Sequence, residues 1–272
     1  MRGIAIPDLS PTPPAAMFDR LADSYDRVFT DSLIGKAQRK QVWDVMDREF
    51  TAGQRILEIN CGTGVDALHL AERGVHVTAC DSSRRMVEVG RERISKVSLA
   101  GSSTFRVLAI ESIGELRDER PFDGALSNFA GLNCVSDLAS AGHQLATLLR
   151  PGAKALICVF GKFCLWEIIW YAAQAEFGKA FRRLQNNVVH TGLGNIRYHP
   201  VHELTRRFAP HFRLLQLRGI GIAVPPSYLE PWALRFPFAL HSAARVDSWA
   251  GNLPVFRGFG DHILLRFERC PS

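Results

Sequence analysis

The stretch ILEINCGTG at residues 56–64 decides the fold class of this 272-residue chain. An apolar run, Arg55 to Ile59, indicates a buried strand that stops at a glycine-rich turn, and residues 65–73 then show helical apolar spacing. Glycines permit a tight turn and a close approach of a ligand to the main chain, while a helix N-terminus offers free N–H groups. Strand, turn and helix therefore predict a backbone cradle for a ligand.

A second apolar strand, residues 76–80, ends at Asp81, seventeen residues after Gly64. A carboxylate at that place can accept both hydroxyl protons of a ribose diol. Turn and carboxylate together predict a nucleoside-containing cofactor. Residues 62–67 also satisfy the G-x-G-x-x-G/A dinucleotide fingerprint, so these residues alone leave open which cofactor is bound.

The segment from Glu58 to Gly64 resembles motif I of the class I S-adenosylmethionine-dependent methyltransferases. That motif has an acidic residue two places before the first of three alternate glycines. Asn60 stands at the first glycine position, and Asn is among the few side chains that tolerate a positive φ. Phe122–Phe129 resembles the fourth strand of the family, and Leu148–Ala153 resembles the turn that precedes its fifth strand.

The C-terminal stretches Phe212–Gly219 and His262–Glu268 resemble the antiparallel strand pair of the same family. A nicotinamide enzyme would continue with parallel βαβ units and a catalytic Tyr/Lys or His, none of which can be placed. The resemblance therefore favours a methyltransferase of the small-molecule type, with a domain of the type 11/25 kind. It implies an α/β fold: a Rossmann-like, seven-stranded, mostly parallel sheet with the last strand antiparallel, N-terminal lid helices and a cap insertion.

The resemblance implies S-adenosyl-L-methionine as the cofactor. Strand ends, the glycine turn and the lid supply the residues expected to bind it. These are Tyr25, Glu58, Asn60, Cys61, Gly62, Gly64, Asp81, Ser82, Met86, Ile110, Glu111, Ser112 and Asn128.

An N-terminal segment, Phe18–Asp26, matches the F-D-x-x-A-x-x-Y-D pattern that folds over the cofactor in similar small-molecule methyltransferases. By that resemblance Tyr25 lines the cofactor pocket, or else it is only a packed aromatic residue. The expected organisation is one structural domain with five parts. These are a flexible leader (1–14), lid helices (15–50), a cofactor-binding core (51–160), a cap insertion (161–210) and a C-terminal strand pair with a second insertion (211–272).

The two insertions, residues 161–210 and about 220–259, are rich in aromatic residues, and loops of this length are usually functional. We expect them to cap an apolar substrate pocket lined by Trp166, Trp170, Tyr198 and Arg183. The alternative is a satellite core or a homodimer interface. His199 is the favoured general base, with Tyr25 as a second catalytic candidate. His143, Glu167, His190 and His202 are further candidates that no spacing singles out.

Composition limits the remaining choices. The six cysteines have no zinc-ligand spacing, no metal is expected, and reduced thiols in apolar strands fit a cytoplasmic location. No apolar run is long enough to span a bilayer. Residues 1–150 carry 18 Lys/Arg against 20 Asp/Glu, whereas residues 151–272 carry 15 against 7. This asymmetry points to an anionic substrate, a carrier protein, a membrane surface or only a solvated basic face, and the interspersed arginines argue against nucleic acid.

The expected function is O- or N-methylation of a small acceptor by in-line methyl transfer, as in secondary metabolism, and the expected acceptor is apolar or aromatic, with an anionic acceptor also open. A non-methylating cofactor-binding protein of the same fold and a lipid methyltransferase at a membrane surface are the alternatives.

Overall fold

The computed structural model describes residues 14–185, 188–191 and 194–271. The strands are β1 (Arg55–Ile59), β2 (His76–Asp81), β3 (Ser102–Val107), β4 (Phe122–Ser127), β5 (Leu149–Phe160), β6 (Val189–Thr191), β7 (Gly194–Ile196), β8 (Phe212–Ile220) and β9 (His262–Arg269). The helices are α1 (Pro14–Tyr25), α2 (Leu33–Glu49), α3 (Val65–Glu72), α4 (Arg84–Ile94), α5 (Leu138–Leu148), α6 (Leu165–Ala173), α7 (Phe177–Ala180), α8 (Val201–Phe208), α9 (Glu230–Arg235) and α10 (Pro237–Ala250). A π-helical turn, Asp26–Thr30, joins α1 to α2.

A seven-stranded sheet lies at the centre of the molecule, in the order β3-β2-β1-β4-β5-β9-β8. The first five strands of that order are parallel, and β9 runs antiparallel to both β5 and β8. This arrangement confirms the predicted fold class. Because the carboxyl ends of β1, β2, β4 and β5 share one edge with the start of β9, residues distant in sequence meet there.

Apolar side chains cover both faces of the sheet. On one face α5 and α8 pack over β4, β5 and β9, with the rings of Phe208 and Phe267 stacked at 5.2 Å. On the other, residues of α2 and α3 such as Met46 and Leu70 pack over β1 and β2. This two-sided burial is the reason why the strands read as continuous apolar runs.

The segment after β3 carries three of the residues expected to bind the cofactor. Strand β3 ends at Val107, and the chain then forms a 3₁₀ segment, Ile110–Leu116, which contains Ile110, Glu111 and Ser112. Ile110, Ile113 and Leu116 are buried by that segment, so the apolar character of this stretch reflects packing of a helical turn and not strand pairing.

The second insertion packs against the lid. Leu229, Ala233 and Leu240 form a small core with Ile34 of α2. The carboxylate of Glu230 accepts hydrogen bonds from the backbone N–H groups of Leu33 (2.7 Å) and Ile34 (3.1 Å), which fixes the start of α2. The second insertion therefore forms a small separate core with α2, which is the alternative that the sequence left open beside a cap over the substrate pocket.

No helix within the three described ranges is long and apolar enough to cross a membrane. The predicted leader, residues 1–14, lies outside the described residues except for Pro14, which begins α1.

Candidate functional site

A cavity of about 260 Å³ lies at the carboxyl ends of the parallel strands. Its walls come from the glycine turn after β1, Asp81 at the end of β2, the loop after β4, the last residue of β5 and the start of β9. Helix α1 and the π-helical turn close it from above through Phe18, Tyr25 and Phe29. The cavity therefore sits where ligands bind in open α/β sheets.

The glycine turn has the left-handed conformation that its sequence predicts. The φ angles of Asn60, Gly62 and Gly64 are +57°, +53° and +71°. A Cβ atom on Gly64 would lie 2.6 Å from the Phe105 ring, so this position requires glycine for space as well as for conformation. Asn60 thus takes the place of a glycine by adopting the same backbone conformation.

The conformation of Asn60 can be tested with a matched pair of substitutions. Asn60→Ala should lower the free energy of unfolding by about 1 kcal/mol, because a left-handed conformation is strained for alanine. Asn60→Gly should keep the wild-type stability to within about 0.5 kcal/mol, because glycine adopts this conformation freely. Urea unfolding of the two variants measures the difference. Equal stabilities would mean that the turn relaxes when the asparagine is lost.

The Asp81 carboxylate is fixed beside the glycine turn. Its Oδ2 atom accepts the backbone N–H of Gly62 at 2.9 Å, and its Oδ1 atom accepts that of Ser83 at 2.9 Å. Burial raises the pKa of the Asp81 carboxyl above its usual value, while those backbone hydrogen bonds act in the opposite direction. Ser82 and Met86 line the same end of the cavity.

The two acidic residues of the lid motif hold the lid in place. Asp19 accepts hydrogen bonds from the Ser83 hydroxyl (2.6 Å) and the Arg85 N–H (3.0 Å) at the start of α4. Asp26 accepts a hydrogen bond from the Thr63 hydroxyl at 2.7 Å and forms an ion pair with Arg93. The F-D-x-x-A-x-x-Y-D pattern therefore encodes a lid whose carboxylates bind the glycine turn and α4.

Tyr25 lies between these two anchors and lines the cavity. Burial raises the pKa of its phenol to about 12, so the hydroxyl stays protonated at neutral pH. Tyr25 can contact a ligand or donate a hydrogen bond, but it is unsuited to the role of a general base.

A buried network connects the lid to the loop after β4. Asp66 accepts hydrogen bonds from Arg39 Nη1 (2.6 Å), Trp43 Nε1 (2.6 Å) and Asn128 Nδ2 (3.0 Å). The Arg39 guanidinium lies 4.7 Å from the centre of the Phe129 ring. The positive charge of Arg39 is therefore balanced inside the wall of the cavity.

Aromatic rings form the other end of the cavity. Phe129 contacts Phe29 edge-on at 5.1 Å and His262 edge-on at 5.2 Å, and Phe160 stacks on His262 at 4.6 Å. Phe129 and Ala130 both have positive φ angles, +46° and +69°, a strained arrangement that aims the Phe129 ring into the site. Flat apolar molecules fit such a surface.

His262 is a candidate functional residue that the sequence reasoning missed. It is the first residue of β9 and pairs with Phe160, the last residue of β5. The predicted antiparallel strand pair was the signal that could have found it, because an antiparallel strand starts where its parallel neighbours end.

A buried ion-pair cluster lies next to this end of the cavity and contacts it through Asp261. Arg183 Nη2 donates to Glu167 Oε2 and to Asp261 Oδ1, both at 2.7 Å. Burial works to raise the pKa of the Asp261 carboxyl, but its neighbours, among them the charge and hydrogen bond of Arg183, outweigh burial and hold that pKa below its usual value. The same ion pairs fix the orientation of the Asp261 side chain, and Asp261 is the residue that precedes His262 in the sequence.

The structure brings most of the predicted cofactor residues together. Eight of them line the cavity: Tyr25, Asn60, Cys61, Gly62, Asp81, Ser82, Met86 and Asn128. Five lie outside its described lining: Glu58 and Gly64 within the strand and turn, and Ile110, Glu111 and Ser112 in the 3₁₀ segment after β3.

The predicted substrate residues lie outside the described lining, and so does the predicted base. Trp166 donates its Nε1–H to the Ala223 carbonyl (2.9 Å) and packs near Trp232, while Trp170 is 42% exposed. Tyr198 packs against Phe160 and the Arg183 guanidinium. Arg183 is occupied by its two carboxylate partners, and buried His199 lies 3.4 Å from Glu203.

The insertions contribute little to the cavity wall. Within the two insertion ranges, the described lining residues are Ile196 and Ser227. Phe238 and Trp249 of α10 are 88% and 68% exposed. Helical spacing in the insertions predicted apolar faces, but it does not specify what those faces pack against.

The lining residues fit a nucleoside. The fixed carboxylate of Asp81, at the end of β2, suits a ribose diol. Gly62 has no side chain and lets a ligand approach the backbone of the turn. No group of three or more His, Cys, Asp or Glu side chains in the described part of the chain could hold a metal ion.

Comparison with known proteins agrees with this geometry. Residues 56–152 match the family model described as a methyltransferase domain. The demethylmenaquinone methyltransferase of Clavibacter sepedonicus is 35% identical over 155 residues, covering 56% of this chain and 61% of the relative. The enzyme of the same name from Thermobifida fusca is 31% identical over 153 residues, covering 56% and 63%. The chain thus spans less than two thirds of the length of these curated relatives.

Among solved structures, the cyclase SpnF superposes with a TM-score of 0.63 at 17% identity, and the match covers 100% of both chains. At that identity the likeness concerns the fold alone. The fold, the glycine turn and the domain match over residues 56–152 support a methyltransferase domain of the class I S-adenosylmethionine-dependent type, with S-adenosyl-L-methionine as its cofactor.

Proposed function

We propose that this chain transfers a methyl group from S-adenosylmethionine to a small acceptor molecule inside the cavity. The observation that carries the proposal is the continuity of the cavity, which joins the Asp81 end to the ring surface of Phe129 and Phe160. A donor and an acceptor bound at these two ends would share one enclosed space. Holding two reactants together in this way is the main catalytic contribution that direct transfer requires.

Each end has a proposed role. Asp81 would accept the ribose hydroxyls, and the backbone near Gly62 would contact the rest of the cofactor. When bound, S-adenosylmethionine supplies a methyl group already activated on a sulfonium. The lid, anchored through Asp19 and Asp26, would exclude water from the reacting atoms and place Tyr25 over them.

The proposed acceptor is a small molecule with a flat ring. The ring surface formed by Phe29, Phe129 and Phe160 supports this choice, and the two relatives are named for a demethylmenaquinone substrate.

The cysteines of the chain are free thiols, which supports a reducing, cytoplasmic location. We do not propose nucleic acid as a partner. The division of the domain into leader, lid, core, cap and C-terminal part, and the formation of a homodimer, are also proposals.

Two measurements test this function. Titration calorimetry should show that S-adenosylmethionine and S-adenosylhomocysteine bind with a 1:1 stoichiometry. Incubation with aromatic hydroxyl and amine compounds should then release S-adenosylhomocysteine in amounts equal to the methylated product. Absence of binding would contradict the whole proposal. Binding without release from any acceptor would favour the non-methylating alternative.

A further inference from the structure

We infer that His262 accepts the proton of the methyl acceptor, and that this acceptor is an uncharged ring compound bearing a hydroxyl group. This inference rests on the proposed function and assigns a residue to its acceptor end. His262 and its neighbour Asp261 lie outside residues 56–152, the part that matches the methyltransferase domain. The assignment therefore comes from this chain's own geometry.

The position of the imidazole is fixed by its neighbours. The ring is stacked on Phe160 and contacted edge-on by Phe129, so it faces the space where a flat acceptor would lie. Its Nδ1 atom is buried, has no hydrogen-bond partner and lies 3.4 Å from Asp261 Oδ2. Because Nδ1 points to this carboxylate, Nε2 is the nitrogen available to a ligand in the cavity.

Asp261 is held firmly enough to orient the imidazole. Its Oδ1 atom accepts from Arg183 at 2.7 Å, and its Oδ2 atom accepts from Gln38 Nε2 at 3.4 Å. Its backbone N–H donates to the Gly221 carbonyl at 3.0 Å. A carboxylate fixed beside Nδ1 would stabilise the imidazolium that forms when Nε2 takes a proton. Asp261 is therefore a positioning residue in this proposal.

The charges in the cavity wall favour an uncharged acceptor. Three carboxylates line the cavity, those of Asp66, Asp81 and Asp261, against one guanidinium, that of Arg39. Arg39 is already paired with Asp66 at 2.6 Å, and Asp261 is paired with Arg183 at 2.7 Å. Among the described lining residues no Lys or Arg is therefore left to pair with an anionic acceptor, and a buried charge without a partner is strongly disfavoured. The basic character of residues 151–272 belongs to side chains outside the described lining, so the expected anionic substrate finds no support here.

An uncharged hydroxyl has to lose its proton, and His262 is placed to take it. The O–H bond breaks as the proton moves to Nε2, and an electron pair of the oxygen forms the bond to the methyl carbon. The carbon–sulfur bond breaks at the same time, and its electron pair remains on sulfur. The imidazolium afterwards returns its proton to water.

Burial keeps the imidazole of His262 neutral before the reaction. Burial lowers the pKa of His262 to about 4, Asp261 acts to raise it, and Arg183 and Arg39 act to lower it further. A neutral imidazole has a lone pair with which it can accept a proton, and the Asp261 carboxylate favours the positive charge that then develops.

Binding probes test the assignment separately from turnover. In protein saturated with S-adenosylhomocysteine, 2-naphthol should bind at least tenfold more tightly than naphthalene-2-carboxylate. His262→Gln should weaken 2-naphthol binding severalfold without changing the affinity for S-adenosylhomocysteine. His199→Gln is the matched control, because His199 is equally buried but lies outside the described lining, and it should change neither affinity.

Turnover supplies the second readout. With an acceptor that the wild type methylates, His262→Gln should lower kcat about 100-fold, as expected for loss of a general base, with a smaller change in KM. A kcat within twofold of wild type would overturn the role of His262. Carboxylate binding as tight as naphthol binding would overturn the uncharged acceptor. Failure of the wild type to bind S-adenosylhomocysteine would instead contradict the proposed function, so the two failures are distinguishable.

Discussion

Replacing Asp81 with asparagine should weaken S-adenosylhomocysteine binding about 100-fold, because hydrogen bonds to a buried charged group contribute about 1.5–3 kcal/mol each. In the proposed complex the carboxylate accepts two ribose hydroxyls while still accepting the N–H groups of Gly62 and Ser83. An asparagine amide would present an N–H group to one of these donors, so at least one hydrogen bond is lost. Titration calorimetry at neutral pH measures the effect.

The pH dependence of binding gives a second check on Asp81. Burial raises the pKa of this carboxyl, so the ionised form that accepts both hydroxyls is lost at a higher pH than for an ordinary aspartate. Affinity should therefore fall as the pH is lowered into the acidic range, and Asp81→Asn should remove that component. Asp118→Asn, at an exposed position, is the control and should bind like wild type. An unchanged affinity in Asp81→Asn would exclude ribose recognition by this residue.

The cofactor end of the cavity could be predicted because its chemistry is local in sequence. Positive φ angles at Asn60, Gly62 and Gly64 follow from a turn between a strand and a helix. The position of Asp81 could be predicted because it is the last residue of the next strand, β2, in the same parallel sheet. Strand order then brings both to one edge, so the sequence pattern and the fold agree without long-range information.

The acceptor end could not be predicted in the same way. Its walls combine Phe29 of the π-helical turn, Phe129 of a strained loop, Phe160 of β5 and His262 of β9, whose proximity depends on tertiary packing. Arg183 illustrates the limit, because its residue type suggested a substrate contact while its buried carboxylate partners give it a structural role. Helical spacing in the insertions likewise predicted apolar faces but not that they would cover α2.

Arg183→Met should lower the free energy of unfolding by about 3–5 kcal/mol, the loss typical of a buried ion pair that keeps one partner. The Glu167 side chain is 1% exposed and that of Asp261 is 6% exposed, so both carboxylates would remain buried beside a neutral side chain. Arg182 would still bind Glu167, which leaves Asp261 as the less compensated charge. Urea unfolding at pH 7 measures the loss, and Arg245→Met, at an exposed position on α10, should change stability by less than about 0.5 kcal/mol.

The pH dependence of that loss identifies its cause. In the wild type the Asp261 pKa is held below its usual value, so its contribution to stability is present above about pH 4, the unfolded pKa, and disappears as the pH falls through the folded pKa. Without Arg183 the folded pKa should rise, and protonation would then relieve the uncompensated charge. The difference in stability between wild type and variant should therefore shrink as the pH is lowered from 7 towards 4. A difference independent of pH would instead attribute the loss to packing of the arginine side chain, and His262 would then owe its orientation to shape rather than to the charge of Asp261.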